Sequence, residues 1–206
     1  MSEQDPGTFD FSGGILCLDF TNTLSNRLDE APKERLNTYV DLIAWSLQAS
    51  ILDEEEARQL RIEAEEEPIE ASRWLHYIRQ ARESIYQILA AVANNQAPEA
   101  EQMQQFNRML SEAMAHACLR PGAREFHWTW TNELGRLERP LWPVIRSATD
   151  LLTSSELVNT RICASEDCGW LFLDTSKNHS RRWCDMKSCG NRAKARRHYK
   201  RKAEEN

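Results

Sequence analysis

The sequence predicts an α+β protein, mostly α: a helical N-terminal domain with a small β element, then a cysteine-rich module of β-hairpin plus C-terminal helix. Three observations predict it. Most of the stretch from residue 32 to 152 repeats its apolar residues at the helical period. One short segment, Phe126-His-Trp-Thr-Trp130, instead alternates apolar and polar residues as a half-buried strand does. Near the C-terminus four cysteines fall as two close pairs, Cys163-x4-Cys168 and Cys184-x4-Cys189, separated by fifteen residues.

The elements follow in order. Gly13-Gly14 marks a turn, and the dense apolar segment from Ile15 to Leu24 reads as a buried strand or a buried helix. Beyond Pro32, Leu36, Val40, Ile43, Ala44 and Leu47 keep helical spacing. Asp53 with Glu56 three residues on has the form of a capping box opening a short acidic helix. Pro68 starts the strongest helix, with Ile69, Leu75, Ile78, Ile85, Leu89 and Val92 on one stripe. Pro98 opens another, carrying Met103, Phe106, Leu110, Met114 and Ala117, with Pro121-Gly122 as its stop. After the Trp-rich strand a last helix of this domain is expected from about Pro143 to Leu152. The boundary is placed near residue 158, giving domains 1–158 and 159–206. No internal repeat is visible.

In the C-terminal module, Trp170-Leu-Phe-Leu-Asp174 reads as a short strand, and Arg181-Arg-Trp183 can return antiparallel after the turn-rich Thr175 to Ser180. Cys163 and Cys168 form a knuckle before that hairpin. Residues five apart on a helix point about 140° away from each other, so Cys184 and Cys189 cannot both ligate from one continuous helix. Cys184 is therefore expected at a strand end, Asp185 as helix cap, and Cys189 in the first turn. Knuckle, hairpin and helix make a treble-clef-like zinc module. Four soft thiolates from two chain segments are the ligand set of a tetrahedral ion, here one structural Zn2+ per chain on Cys163, Cys168, Cys184 and Cys189. His179 and His198 are not needed as ligands. Cys17 and Cys118, in apolar surroundings, are expected to be buried free thiols.

The net charge of −6 hides a split. From Arg161 to Asn206 twelve Lys/Arg face six Asp/Glu, whereas the preceding residues carry fourteen against twenty-six. After Cys189, Gly190-Asn191-Arg192 leads into a basic helix with no acid before Lys202. On that helix Arg192, Lys194, Arg196, Arg197, Lys200 and Arg201 share a face roughly 200° wide, with Ala195 and Tyr199 opposite, suited to packing on the hairpin. Soluble faces usually mix both signs, so phosphate contact is the expected use, with Arg181 and Arg182 of the hairpin alongside.

The polar residues inside the first apolar segment, Asp19 and Asn22, either bond backbone near the module or line a ligand pocket, with Trp128 and Trp130 as further lining. Nothing points to catalysis. There is no glycine-rich phosphate loop, nucleophile elbow or HExxH, and His76, His116 and His127 lie scattered. The opening Met-Ser-Glu-Gln-Asp-Pro is acidic, and the longest apolar runs, such as Ile88 to Ala93, are far short of a membrane span. Six cysteines without a leader suit a reducing compartment, so a cytoplasmic location is expected.

The stretch from Arg161-Ile-Cys163 to Cys189-Gly-Asn-Arg-Ala-Lys-Ala-Arg-Arg-His-Tyr199 resembles the CGNR zinc-finger family. Gly13-Gly-Ile-Leu-Cys-Leu-Asp-Phe-Thr-Asn-Thr-Leu24 resembles the opening of the ABATE domain that usually precedes that finger. The resemblance implies a bacterial, stress-induced transcription regulator whose finger binds DNA or RNA, with the four named cysteines as metal ligands. The expected function is a zinc-containing, DNA-binding regulator, with the N-terminal domain as sensor of a small-molecule effector or as a platform for homodimerisation. The alternatives are an RNA-binding protein and a zinc-stabilised protein-interaction module.

Overall fold

The computed structural model describes residues 7–131 and 136–204, with side chains described through Arg197 and at Lys202. The protein is mostly helical, with three small antiparallel hairpins. The first apolar segment is a helix, α1 (Leu16–Thr21), buried along almost its whole length. Its first turn is closed by Asp19, whose Oδ1 accepts the Gly13 N–H at 2.8 Å. A Cβ on Gly13 would meet that oxygen at 2.8 Å, so the approach requires glycine.

The strands β1 (Leu24–Ser25) and β2 (Lys33–Glu34) form a minimal hairpin. Helix α2 (Tyr39–Gln48) starts at a capping box of Thr38 and Asp41. The Asp53 and Glu56 spacing does open α3 (Glu54–Glu66), with Asp53 Oδ1 accepting from Glu56 N at 2.8 Å and Glu56 Oε2 from Asp53 N at 2.9 Å. Helix α4 (Pro68–Ala93) begins on its proline, as predicted, and buries Leu75, Ile78, Ile85, Ile88 and Leu89. Ile69, in its first turn, stays exposed, as does Val40 on α2.

Helix α5 (Ala100–Ala115) ends earlier than Pro121-Gly122 predicted. Ala117 leaves the helix because β3 (Ala117–Pro121) pairs with β4 (Phe126–Trp130), in the register Leu119 with Trp128. Much of this hairpin is exposed. Phe126 and Trp128 are exposed rather than half-buried; the Trp130 end packs on Trp142 of α6 (Leu141–Leu152), and Trp128 meets the Arg146 guanidinium of the same helix. Cys118 sits on the hairpin and is only partly buried; Cys17 is fully buried, and burial pushes its thiol up to about 12.

A 3-10 turn, Ser155–Asn159, leads into β5 (Thr160–Ile162), which pairs with β6 (Leu171–Leu173). A widened turn at Met186–Gly190 precedes α7 (Asn191–Glu204). Alternation along β6 joins the parts. Leu171 and Leu173 enter the core that α1, α2, α4 and α6 build around Trp45, Phe20 and Ile43, while Phe172 turns to the cysteines. Among the described residues no helix is long and apolar enough to cross a membrane.

Candidate metal centre and basic helix

The four cysteines meet at one point. Cys163 leaves β5 and its N–H donates to Trp170 O (2.8 Å), closing the loop that carries Cys168 back to β6. The hairpin therefore encloses the knuckle and is formed by residues 160–162 with 171–173. The predicted return strand, 181–183, is an irregular segment tied to the knuckle by Ala164 N to Arg182 O at 2.8 Å. The second pair is held as its spacing required. Cys184 ends that segment, Asp185 caps the next turn by accepting Ser188 N at 2.7 Å, and Cys189 lies inside that turn.

The Sγ atoms all lie within 4.8 Å of one another, with Cys168–Cys184 at 3.7 Å and Cys184–Cys189 at 3.6 Å. A tetrahedral ion with sulfurs at about 2.3 Å has edges of about 3.8 Å, so the donor set fits such an ion. All four cysteines are buried, walled by Phe172, Trp170 and Trp183. Crowding splits the thiols. Hydrogen bonds from Cys168 and Cys184 hold Cys163 down at about 7, and those from Cys163 and its neighbours hold Cys189 well below the usual range. Cys168 and Cys184 are pushed up by the same sulfurs. A central cation is what lets all four be thiolates together.

Each position of the Cys-Gly-Asn-Arg string has a local contact. Cys189 is in the cluster. Gly190 is buried against the flexible end of Met186, which a Cβ would push aside. Asn191 Nδ2 donates to Lys187 O at 3.0 Å, tying the start of α7 to the turn before it. Arg192 donates to Cys189 Sγ at 3.1 Å, the kind of outer contact that orients and charges a ligand sulfur.

The N-terminal domain grips this module by its backbone. Arg27 N and Leu28 N donate to Cys168 O (2.9 Å) and Asp167 O (3.2 Å), and Tyr86 Oη donates to Gly169 O at 2.9 Å. Gly169, at φ +66°, lies so close that a Cβ would be 3.0 Å from Arg27 and Leu28. Arg27 is itself stacked on Tyr86 and paired with Glu83 at 2.7 Å. Glu83 also meets the buried Arg82, whose main partner is Glu34 at 2.7 Å. Burial pushes Glu34 up, but Arg82 and Arg79 outweigh it and leave the carboxyl below its ordinary value.

The predicted cationic residues separate into two groups. Arg181 is turned inward: Nε donates to Trp183 O (2.9 Å), Nη2 to Cys184 O and to Ser12 O (3.2 Å), and the guanidinium lies 4.5 Å over Phe172. Arg192 and Arg196 are clasped by acids of the knuckle, Arg192 to Asp167 at 3.6 Å and Arg196 to Asp167 at 3.1 Å and Glu166 at 3.4 Å. Two adjacent acids between Cys163 and Cys168, in an otherwise basic module, were the sequence signal for this clasp. Arg182 is exposed beside Trp183, while Lys194 and Arg197 are exposed and make no ion pair among the described residues. Lys200 and Arg201 lie on α7, but their side chains, like that of Tyr199, fall outside the described residues. Ala195 is exposed instead of packing on the hairpin.

The four predicted pocket residues do not converge. Asn22 bonds backbone at the module: Nδ2 donates to Leu171 O (2.8 Å) and Oδ1 accepts Leu171 N (3.0 Å). Asp19 serves the Gly13 turn, and burial raises its carboxyl to about 7. Trp128 and Trp130 line a separate cleft of about 630 Å3, together with Arg139 and Arg146.

Two family models match the chain. Residues 14–155 match ABATE, described as "putative stress-induced transcription regulator", and residues 160–202 match the CGNR zinc finger. Among curated proteins no sequence matches. Two matches in this order, the first over more than half of the chain, place a four-cysteine finger behind a helical domain: the chain belongs to the ABATE family and carries a CGNR zinc finger.

Proposed function

We propose that this chain is a zinc-stabilised, DNA-binding transcriptional regulator of the cytoplasm, without catalytic activity. One structural Zn2+ per chain sits on Cys163, Cys168, Cys184 and Cys189; four protein thiolates leave no position for a reacting water. The N-terminal domain acts as sensor of a small-molecule effector or as the platform for a homodimer, whose second finger enlarges the footprint on DNA. The observation that carries the reading is α7, a cationic helix anchored at the metal cluster, with Lys194 and Arg197 exposed and no acid from Arg192 to Lys202. Family membership as a transcription regulator supports it.

The test is fluorescence anisotropy of zinc-loaded full-length protein with duplex DNA, single-stranded RNA and heparin at one salt concentration. Duplex DNA is expected to bind most tightly, and EDTA to abolish binding. Preference for single-stranded RNA would instead favour an RNA-binding protein. Heparin binding as tightly as either nucleic acid would favour a protein-interaction module.

A further inference from the structure

The cleft beside the β3–β4 hairpin is lined by Ile15, Leu16 and Pro143 together with Trp128 and Trp130. Two observations set it apart from an ordinary surface hollow. The first is Arg139. It is 8% exposed, and its Nη2 pairs with Glu56. Its Nε and Nη1 are buried and have no hydrogen-bond partner among the described residues. Buried polar groups are almost always bonded. A guanidinium only donates, so what completes Arg139 is an acceptor, admitted as the side chains that close over these two atoms move aside.

The second is Trp128, a large ring left 43% exposed at the cleft. The guanidinium of Arg146 lies 4.6 Å from its ring centroid and is paired with Asp150 at 3.3 Å. An indole braced by a cation, next to a buried arginine with unpartnered donors, suits a flat apolar body carrying an acceptor group. The acids of the lining do not oppose a negative acceptor strongly. The lining holds Arg139 and Arg146 against Glu56, Asp150 and Glu156. Glu56 and Asp150 are paired with the arginines and Glu156 is exposed, where salt and solvent screen it, so the acceptor is drawn by the two unpartnered N–H donors of Arg139 and not by net charge.

We propose that this cleft binds a small planar aromatic carboxylate, with its ring against Trp128 and its carboxylate on Arg139. This ligand class deepens the sensor role proposed above and rests on that reading for its consequence, but not for its binding. The experiment is isothermal titration calorimetry of the full-length zinc-loaded protein with benzoate, salicylate and indole-3-acetate, with benzamide and benzylamine as controls of similar size. At least one acid is expected to bind saturably and neither control to do so. Trp128→Ala should weaken that binding about tenfold, the value of one aromatic contact. Arg139→Met should weaken it at least about tenfold, as loss of a charged hydrogen bond does. Circular dichroism checks that Arg139→Met folds; should it not, the exposed Trp128→Ala carries the test alone. Absence of saturable binding by all three acids, unchanged affinity in Trp128→Ala, or benzamide binding as tightly as benzoate would each overturn the proposal. No nucleic acid is present in the titration, so failure here leaves the DNA-binding reading standing.

Discussion

Among the bonds that join the two parts of the molecule, the Asn22 amide supplies two. Asn22 pairs both its donor and its acceptor with the backbone of Leu171, in the manner of a neighbouring strand. In Asn22→Ala both backbone groups lose their partner in a buried place. At about 1–3 kcal/mol for each unsatisfied group, the variant should lose about 2–4 kcal/mol of unfolding free energy in urea. A loss below about 0.5 kcal/mol, the range of ordinary surface changes, would contradict this role. Asp19 gives a pH signature. Desolvation raises its carboxyl from 3.8 to about 7, so between those values the folded state holds a proton that the unfolded state releases. Stability from this group is full below about pH 4 and falls as pH rises through 7. Asp19→Asn should flatten that decline in urea melts at a series of pH values between 4 and 8; an unchanged slope would show that Asp19 is not its source. The sequence marked both residues as polar intruders in an apolar run, but their partners, Gly13 and Leu171, could not be read. The second lies on another element, 149 residues away.

Among the elements, those with local signals were legible. The capping box of α3, the proline start of α4 and the Asp185 cap are decided within four residues of chain. Strand β3 was not, because Ala117-Cys-Leu-Arg-Pro121 lacks alternation and becomes a strand only by pairing with β4. The same holds for the finger's hairpin, where the partner of β6 is β5 rather than the segment at 181–183. Basic helix and knuckle also interact in a way that composition concealed. Glu166 and Asp167 occupy Arg192 and Arg196, and so compete with any phosphate for them. Glu166→Gln/Asp167→Asn should therefore tighten duplex DNA binding and steepen its salt dependence by about one to two units of log–log slope. Unchanged affinity at low salt would mean that the clasp does not restrain these arginines.

At the scale of the whole molecule, the finger is built into the helical core. Leu171 and Leu173 belong to the main core while Phe172 closes the cysteine cluster, so loss of the metal should be felt beyond residue 160. Chelation by EDTA is expected to lower the midpoint of thermal unfolding of the entire chain and to change tryptophan emission through Trp170 and Trp183. A melt unchanged by chelation, in protein shown by elemental analysis to have lost its zinc, would contradict that coupling. The central claim is that the basic helix, with Arg182 and Lys187 just before it, carries the phosphate contacts, and a salt series tests it most directly. Arg182, Lys187, Lys194, Arg197 and Lys202 are exposed. If these cations neutralise about five phosphates, log affinity for duplex DNA should fall with log salt at a slope of about −4.5. In Lys194→Ala/Arg197→Ala, with zinc content unchanged, the expected slope is shallower by about two units. Equal slopes for the variant and the wild type would contradict the claim.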